Sequence, residues 1–419
     1  MKLFKLIRAG AVCLLALAGN TGAAEVPNPA VRGYTVPVLD VSGDITRRVI
    51  VDRRPGQYLG HPTTVLLKDG RTIFAVYPLG HAAGALVLVK STDGGLSWSA
   101  PLPVPENWST SKNPPSIHRV VAPDGRERLI ILTGSAENTK EDLPVRLTVS
   151  DDEGKTWSPL RPIGEGRDYN AIVAASSMLR LKDGRYMALH HSDYLPGVDG
   201  KRNMKLYKML SGDGGLTWSK RIFVAEHPVA EFCEPGAVRS PSGDEIAVMI
   251  RDNSRLFHSF VVFSSDEGEK WSKASQLPGP LTGDRHVAKY APDGRMVVVF
   301  RDMDETSPTR GHFVAWVGTY EDLKLNRPGQ YRVKLLHSYA GADCGYAGLE
   351  LLPDGTFVAV TYIKERAGKQ ELRTDAGKIS TERMYGPNED ERQSVVAVRF
   401  RLDELDQILR KYHGSVASK

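Results

Sequence analysis

Tyr346, Glu234 and three arginines, Arg251, Arg285 and Arg301, are the residues of this chain whose types and placement suggest chemistry on an anionic ligand. The guanidinium fork matches a planar carboxylate with two parallel hydrogen bonds. A phenol of ordinary pKa near 10 becomes a nucleophile only when a neighbouring base takes its proton, and a glutamate can be that base. His61 in GHPTTVLL and His81 in PLGHAAG can hold or release a proton near neutral pH. Each group also has a plain structural role open to it: rim salt bridges for the arginines, stacking for the tyrosine, turn capping for the histidines. None of them is a sequence neighbour of another, except as the fold gathers them.

Two internal repeats supply that fold. SxDxGxxW occurs four times, at Ser91 to Trp98, Ser150 to Trp157, Ser211 to Trp218 and Ser264 to Trp271, at spacings of 59, 61 and 53 residues. Its aspartate suits bonding to nearby backbone N–H groups, its glycine a positive φ, and its tryptophan packing beneath the turn, so the motif reads as structural. Hairpin signals between apolar runs recur six times: KDGR at Lys68 and Lys182, PDGR at Pro123 and Pro292, PSGD at Pro241 and PDGT at Pro353. Four strands per unit and six units predict an all-β chain, a six-bladed β-propeller. RRVIV (Arg47 to Val51) is placed to close the ring against the last blade. Leu405, Ile408 and Leu409 predict a short C-terminal helix. The expected division is a leader over 1–24, an N-terminal extension over 25–46, the propeller over 47–402 and a helix with tail over 403–419.

Eight residues before the hairpin aspartate, or its equivalent Ser242, stand His61, Ser116, Ala175, Glu234, Arg285 and Tyr346. In a propeller these begin the innermost strands, on one rim of the central channel. Second strands return to the same rim at Tyr77, Thr133, His191, Arg251, Arg301 and Tyr362. The repeat therefore predicts one mouth that collects three arginines, a carboxylate, tyrosines and histidines.

Composition narrows the class. Hydrophobic residues at 41% and charged residues at 25% describe a globular chain, and 40 glycines with 26 prolines suit many tight turns. Lys2, Lys5 and Arg8, an apolar stretch from Ala9 to Ala18 and the small residues Gly22 to Ala24 read as an export leader, too short to span a bilayer. Removing it lowers the net charge from +5 to +2, which argues against a nucleic acid partner. Cys233 and Cys344 remain, too few for a disulfide framework and expected unbridged; Cys233 is expected to pack on the strand face opposite Glu234. No CxxC or HExxH spacing calls for a metal, and no cofactor is required. A secreted or periplasmic monomer acting on a glycan is expected.

The repeats, with Tyr346 in DCGYAGLELLPDG, Glu234 in EFCEPGAV and Arg251 downstream on the same blade, resemble the exo-sialidases, six-bladed propellers with Asp-box repeats, over nearly all of the mature chain. The resemblance implies Tyr346 as nucleophile, Glu234 as its base, and Arg251 as the second of three arginines on the substrate carboxylate. Arg301 is preferred over Arg310 as the third. A tyrosine suits this reaction because a carboxylate on the anomeric carbon would repel an anionic nucleophile. Two positions depart from the family. Its first arginine is replaced by Gly60, followed by His61, and its acid/base aspartate by His81. His81 is then the expected acid/base, and Arg285 in TGDRH the expected extra carboxylate contact. Two other readings remain: a hydrolase or lyase acting on uronate-containing glycans through His61 and His81, and a glycan-binding propeller without catalysis.

Overall fold

Strands such as Ile73–Pro78 and Met296–Asp302 are buried along their whole length, because each blade of a ring is covered by a neighbour on both faces. A computed structural model describes residues 36–134, 144–192, 204–365 and 393–416. The leader over 1–24, the start of the extension through residue 35, and residues 417–419 lie outside them. Six sheets form a six-bladed β-propeller. The innermost strands are Thr63–Leu66, Pro115–Val121, Ile172–Arg180, Phe232–Arg239, Gly283–Tyr290 and Ala347–Leu351. Each pairs antiparallel with the strand that follows it.

Arg48–Asp52 pairs antiparallel with Ser394–Phe400 and closes the ring as the outer strand of blade six. Two blades depart from four strands. In blade one the sheet has three. Its outer segment still bonds the third strand through Ser99 N–H to Lys90 (2.9 Å) and Leu102 N–H to Leu88 (2.8 Å). Pro101 and Pro103 flank Leu102 with their nitrogens on the solvent side of this edge segment, as prolines on an edge are placed. Blade five has a fifth strand, Val38–Asp40, parallel to Tyr331–Leu336. In that blade a short helix, Tyr320–Lys324, stands where blades one to four carry SxDxGxxW; Thr319 and Asp322 form its capping box. The C-terminal helix Leu402–Val416 buries Leu402 and Leu405 against blades five and six. Among the described residues no helix is long and apolar enough to cross a membrane.

The four SxDxGxxW turns lie on the face opposite the rim where the innermost strands begin. In the first, Asp93 Oδ1 accepts from Leu96 and Ser97 N–H (3.0 and 2.9 Å) and Oδ2 accepts from the Ser97 hydroxyl (2.5 Å). The same pattern holds Asp152, and the pKa of both carboxyls falls to about 2. For Asp93 these bonds outweigh burial; for Asp152 the Thr156 hydroxyl leads. Each turn also seals one blade to the one before. Gly154 sits so close that a Cβ would stand 2.5 Å from the Phe74 ring of blade one. Arg128 of blade two donates to the Gly214 carbonyl (3.1 Å), and Lys208 of blade three to Gly268 (2.6 Å).

Candidate active site

At the opposite rim the chain takes up an unusual backbone conformation in four blades. His61, Ala175, Glu234 and Arg285 have φ of 53°, 49°, 51° and 58°. These are the repeat-equivalent positions in blades one, three, four and five. A side chain in the left-handed region costs on the order of 1 kcal/mol or more and persists only where surrounding contacts impose it. In blades three, four and five the pairing register also shifts there, between Ile172 and Ser177, Cys233 and Gly236, and Asp284 and Val287. Such a bulge turns a strand-start side chain out of the pleat, here toward the channel.

Glu234 and Tyr346 meet across the mouth. The Tyr346 hydroxyl donates to Glu234 Oε1, while Arg251 Nη1 donates to the same oxygen (2.7 Å) and to the Tyr346 oxygen (2.8 Å). Both residues are buried, at 5% and 8% exposure. Burial alone would raise the Glu234 carboxyl; Arg251 and the Tyr346 hydrogen bond outweigh it and hold the pKa below its ordinary value. Glu234 is therefore ionised at neutral pH. Burial and the Glu234 charge push the phenol up, against Arg251 and Arg301, so Tyr346 rests protonated with its proton on an ionised carboxylate. That is the arrangement of a nucleophile awaiting its base.

Asp284 organises the arginines. It is fully buried, and three guanidiniums converge on it: Arg255 through two bonds (2.6 and 2.8 Å), Arg301 through Nε (2.8 Å) and Nη2 (2.5 Å), and Arg251 with Nε 3.1 Å away. Burial would raise its carboxyl, but Arg251, Arg255 and Arg301 hold it well below the ordinary range. Arg301 also donates Nη1 to the Ala342 carbonyl (2.5 Å). Arg285, the next residue, differs. It is 3% exposed, and its Nε and Nη1 have no hydrogen-bond partner among the described residues. Its guanidinium carbon lies 5.9 Å from the centre of the Tyr346 ring, and that of Arg301 5.3 Å. Unpaired donors on a buried cation are costly, and the free Arg285 nitrogens are chemically suited to an anion.

Blade one supplies the histidines. The His61 ring stands 4.4 Å from Tyr346 and 4.7 Å from His81, centre to centre. Burial, then His81 and the arginines, keep His61 well below the ordinary histidine pKa, so it is neutral. His81, with 46% of its side chain exposed, has Nε2 3.8 Å from Asp343 Oδ1. Desolvation lowers its pKa and Asp343 partly restores it. Position 60 cannot take a long side chain: a Cβ there would lie 2.6 Å from the Tyr58 ring and 3.2 Å from the carbonyls of Gly80 and His81. Tyr58 fills the space beside it.

The structure thus gathers Tyr346, Glu234, Arg251, Arg301, Arg285, His61 and His81 at one mouth. Arg310 lies outside it, in an exposed pair with Glu305 at 3.5 Å. Cys233 and Cys344 are free and buried; burial pushes the Cys344 thiol up to about 12, and both are inert. Sequence reasoning missed Asp284, Arg255, Tyr58 and Asp343. Asp284 had a signal, since it precedes Arg285 on a strand where neighbours face opposite ways, and Asp343 lies three residues before Tyr346.

Fold and site define an Asp-box propeller with a phenol–carboxylate pair in an arginine-rich channel. The BNR repeat-like domain family matches residues 119–335, just over half of the chain. The chain belongs to that family and is a member of the sialidase-like BNR propeller superfamily. A "Sialidase" of Paraclostridium sordellii is 24% identical over 265 residues, which are 59% of this chain and 53% of that protein. The chain therefore spans about half the length of this curated relative. Among solved structures, a Dyadobacter fermentans protein of unknown function superposes with a TM-score of 0.61 at 16% identity, covering 84% of this chain and 97% of that one. The α-L-arabinofuranosidase Arb93A of Fusarium graminearum gives 0.60 at 15% identity, over 85% and 98%. These likenesses are of fold.

Proposed function

We propose that the protein is an exported glycosidase of exo-sialidase type that releases terminal sialic acid, or a related 2-keto acid sugar, from glycans. The observation that carries this reading is the Tyr346 hydroxyl on Glu234 with Arg251 donating to both. Tyr346 Oη forms a bond to the anomeric carbon as its proton passes to Glu234. The glycosidic C–O bond breaks, and the leaving oxygen keeps the electron pair and takes a proton from His81. His81 then draws a proton from water, which displaces tyrosine and restores both residues. Arg285 holds the substrate carboxylate together with Arg251 and Arg301, which Asp284 pre-orients; His61 packs against the sugar. The P. sordellii relative supports a sialidase, the fold also carries an arabinofuranosidase, and the clustered arginines favour an acidic sugar.

One observation favours a second reading. The lowered pKa of His81 leaves it neutral near pH 7, as a base for elimination on a uronate needs to be. The two readings slope oppositely with pH. As an acid His81 must be protonated, so kcat/KM on a native sialoglycan falls as pH rises through its lowered pKa; as an eliminating base it must be neutral, and the rate rises there. The test is turnover of sialoglycans and uronate-containing glycans from pH 4 to 8 by wild type and Tyr346→Phe. The expected result is sialic acid release, fastest on the acid side of neutrality and reduced at least ~10³-fold in the variant. An unsaturated product would establish the lyase, and binding without any product the glycan-binding propeller.

A further inference from the structure

The loop from blade five into the innermost strand of blade six carries a carboxylate that the proposed reaction does not yet use. Asp343 is 2% exposed. Oδ1 accepts from the Tyr58 hydroxyl (2.8 Å), Oδ2 accepts from Gln393 Nε2 (2.5 Å), and Oδ1 faces His81 Nε2 at 3.8 Å. Tyr58 also packs edge-on against His81, with ring centres 5.6 Å apart. A buried carboxylate clamped by two donors from other parts of the ring, and turned toward a half-exposed imidazole, is built to orient that imidazole.

We infer that Asp343 is the positioning residue of the acid/base, a carboxylate that fixes the His81 ring at the mouth and sustains its protonated form, with Tyr58 and Gln393 holding Asp343 in place. The inference rests on His81 being the acid/base, and it gives a partner to the residue that stands where the family carries an aspartate. The other groups facing His81 are His61, whose ring is 4.7 Å away, and the charges of Arg301 and Glu234. Arg301 disfavours the imidazolium and Glu234 favours it, with Asp343 the larger of the two carboxylate contributions. Burial raises the Asp343 carboxyl, while His81, Tyr58 and Arg301 draw it down.

The test is histidine-labelled NMR titration of the full protein without substrate, with the His81 signal assigned by its loss in His81→Gln. In Asp343→Asn the His81 midpoint is expected to move down by about one pH unit, the size of effect an opposite charge at this range produces. Tyr58→Phe removes a donor that spreads the Asp343 charge, so there the midpoint moves up, and this variant decides the matter if Asp343→Asn does not fold. A midpoint that stays within a tenth of a unit of wild type in folded variants overturns the inference. These titrations do not depend on turnover, so failure to release any sugar would count against the proposed function alone. Where turnover is measured, the falling limb of the pH profile shifts down with the midpoint in Asp343→Asn and returns in Asp343→Glu.

Discussion

The two faces of the ring treat the left-handed backbone region in opposite ways. On the Asp-box face such residues belong to turns: Gly94, Gly154, Gly214 and Gly268 take positive φ, and where a side chain intrudes it is exposed, as at Glu153 with φ 59°, or pairs at the surface, as Glu267 does with Arg239. At the channel mouth the same region is occupied by His61, Glu234 and Arg285, all buried. A glycine would adopt that conformation more easily. At three of the four equivalent positions the strained residue is charged or aromatic, Ala175 being the fourth, and the blades around them are rigid enough to impose the conformation. The Asp-box turns join neighbouring blades at one face, and the candidate site stands at the other.

Substitutions that exchange the two treatments test this division. Glu234→Gly gives the mouth the residue its backbone prefers. It is expected to leave a folded protein and to lower kcat/KM by roughly 10³-fold or more, because the base for Tyr346 is gone. A variant that kept its activity would show that the strained position serves only packing. On the other face, Gly154→Ala drives a methyl into Phe74 at a positive φ of 81°. Chemical denaturation should show a loss of about 2–3 kcal/mol, with kcat unchanged at temperatures where the variant is folded. Glu153→Gly, one residue away and exposed, should leave activity untouched and raise stability by no more than ~1 kcal/mol, as relief of backbone strain is partly offset by the freer unfolded chain.

The same contrast explains what was legible before the structure. The Asp-box face repeats its chemistry locally: serine, aspartate, glycine and tryptophan lie within eight residues, and the first three bond one another in each turn, so their spacing alone defines the blades. Counting from the hairpins reached His61, Glu234, Arg285 and Tyr346 because the repeat is the propeller's geometry. Four strands per unit were expected throughout, so neither the three-stranded first blade nor the fifth strand of blade five was anticipated; the latter lies in a segment too short to announce itself. Asp284 and Asp343 were harder. Each gains its meaning from partners brought by other blades, Arg251, Arg255 and Arg301 for one and His81, Tyr58 and Gln393 for the other, and no spacing in the chain encodes those meetings. The replacement at Gly60 was visible, but only the packing of Tyr58 shows why no arginine fits there.

The proposed function stands or falls on a covalent bond from Tyr346 to the anomeric carbon of an acidic sugar. It is tested most directly by incubating the protein with a sialoside that carries fluoride as leaving group and a second fluorine beside the anomeric carbon to slow hydrolysis, followed by intact-mass analysis and peptide mapping. One added glycosyl mass is expected, located on Tyr346 and absent from Tyr346→Phe. An adduct on any other residue, or release of fluoride by wild type and by Tyr346→Phe at equal rates, would contradict it.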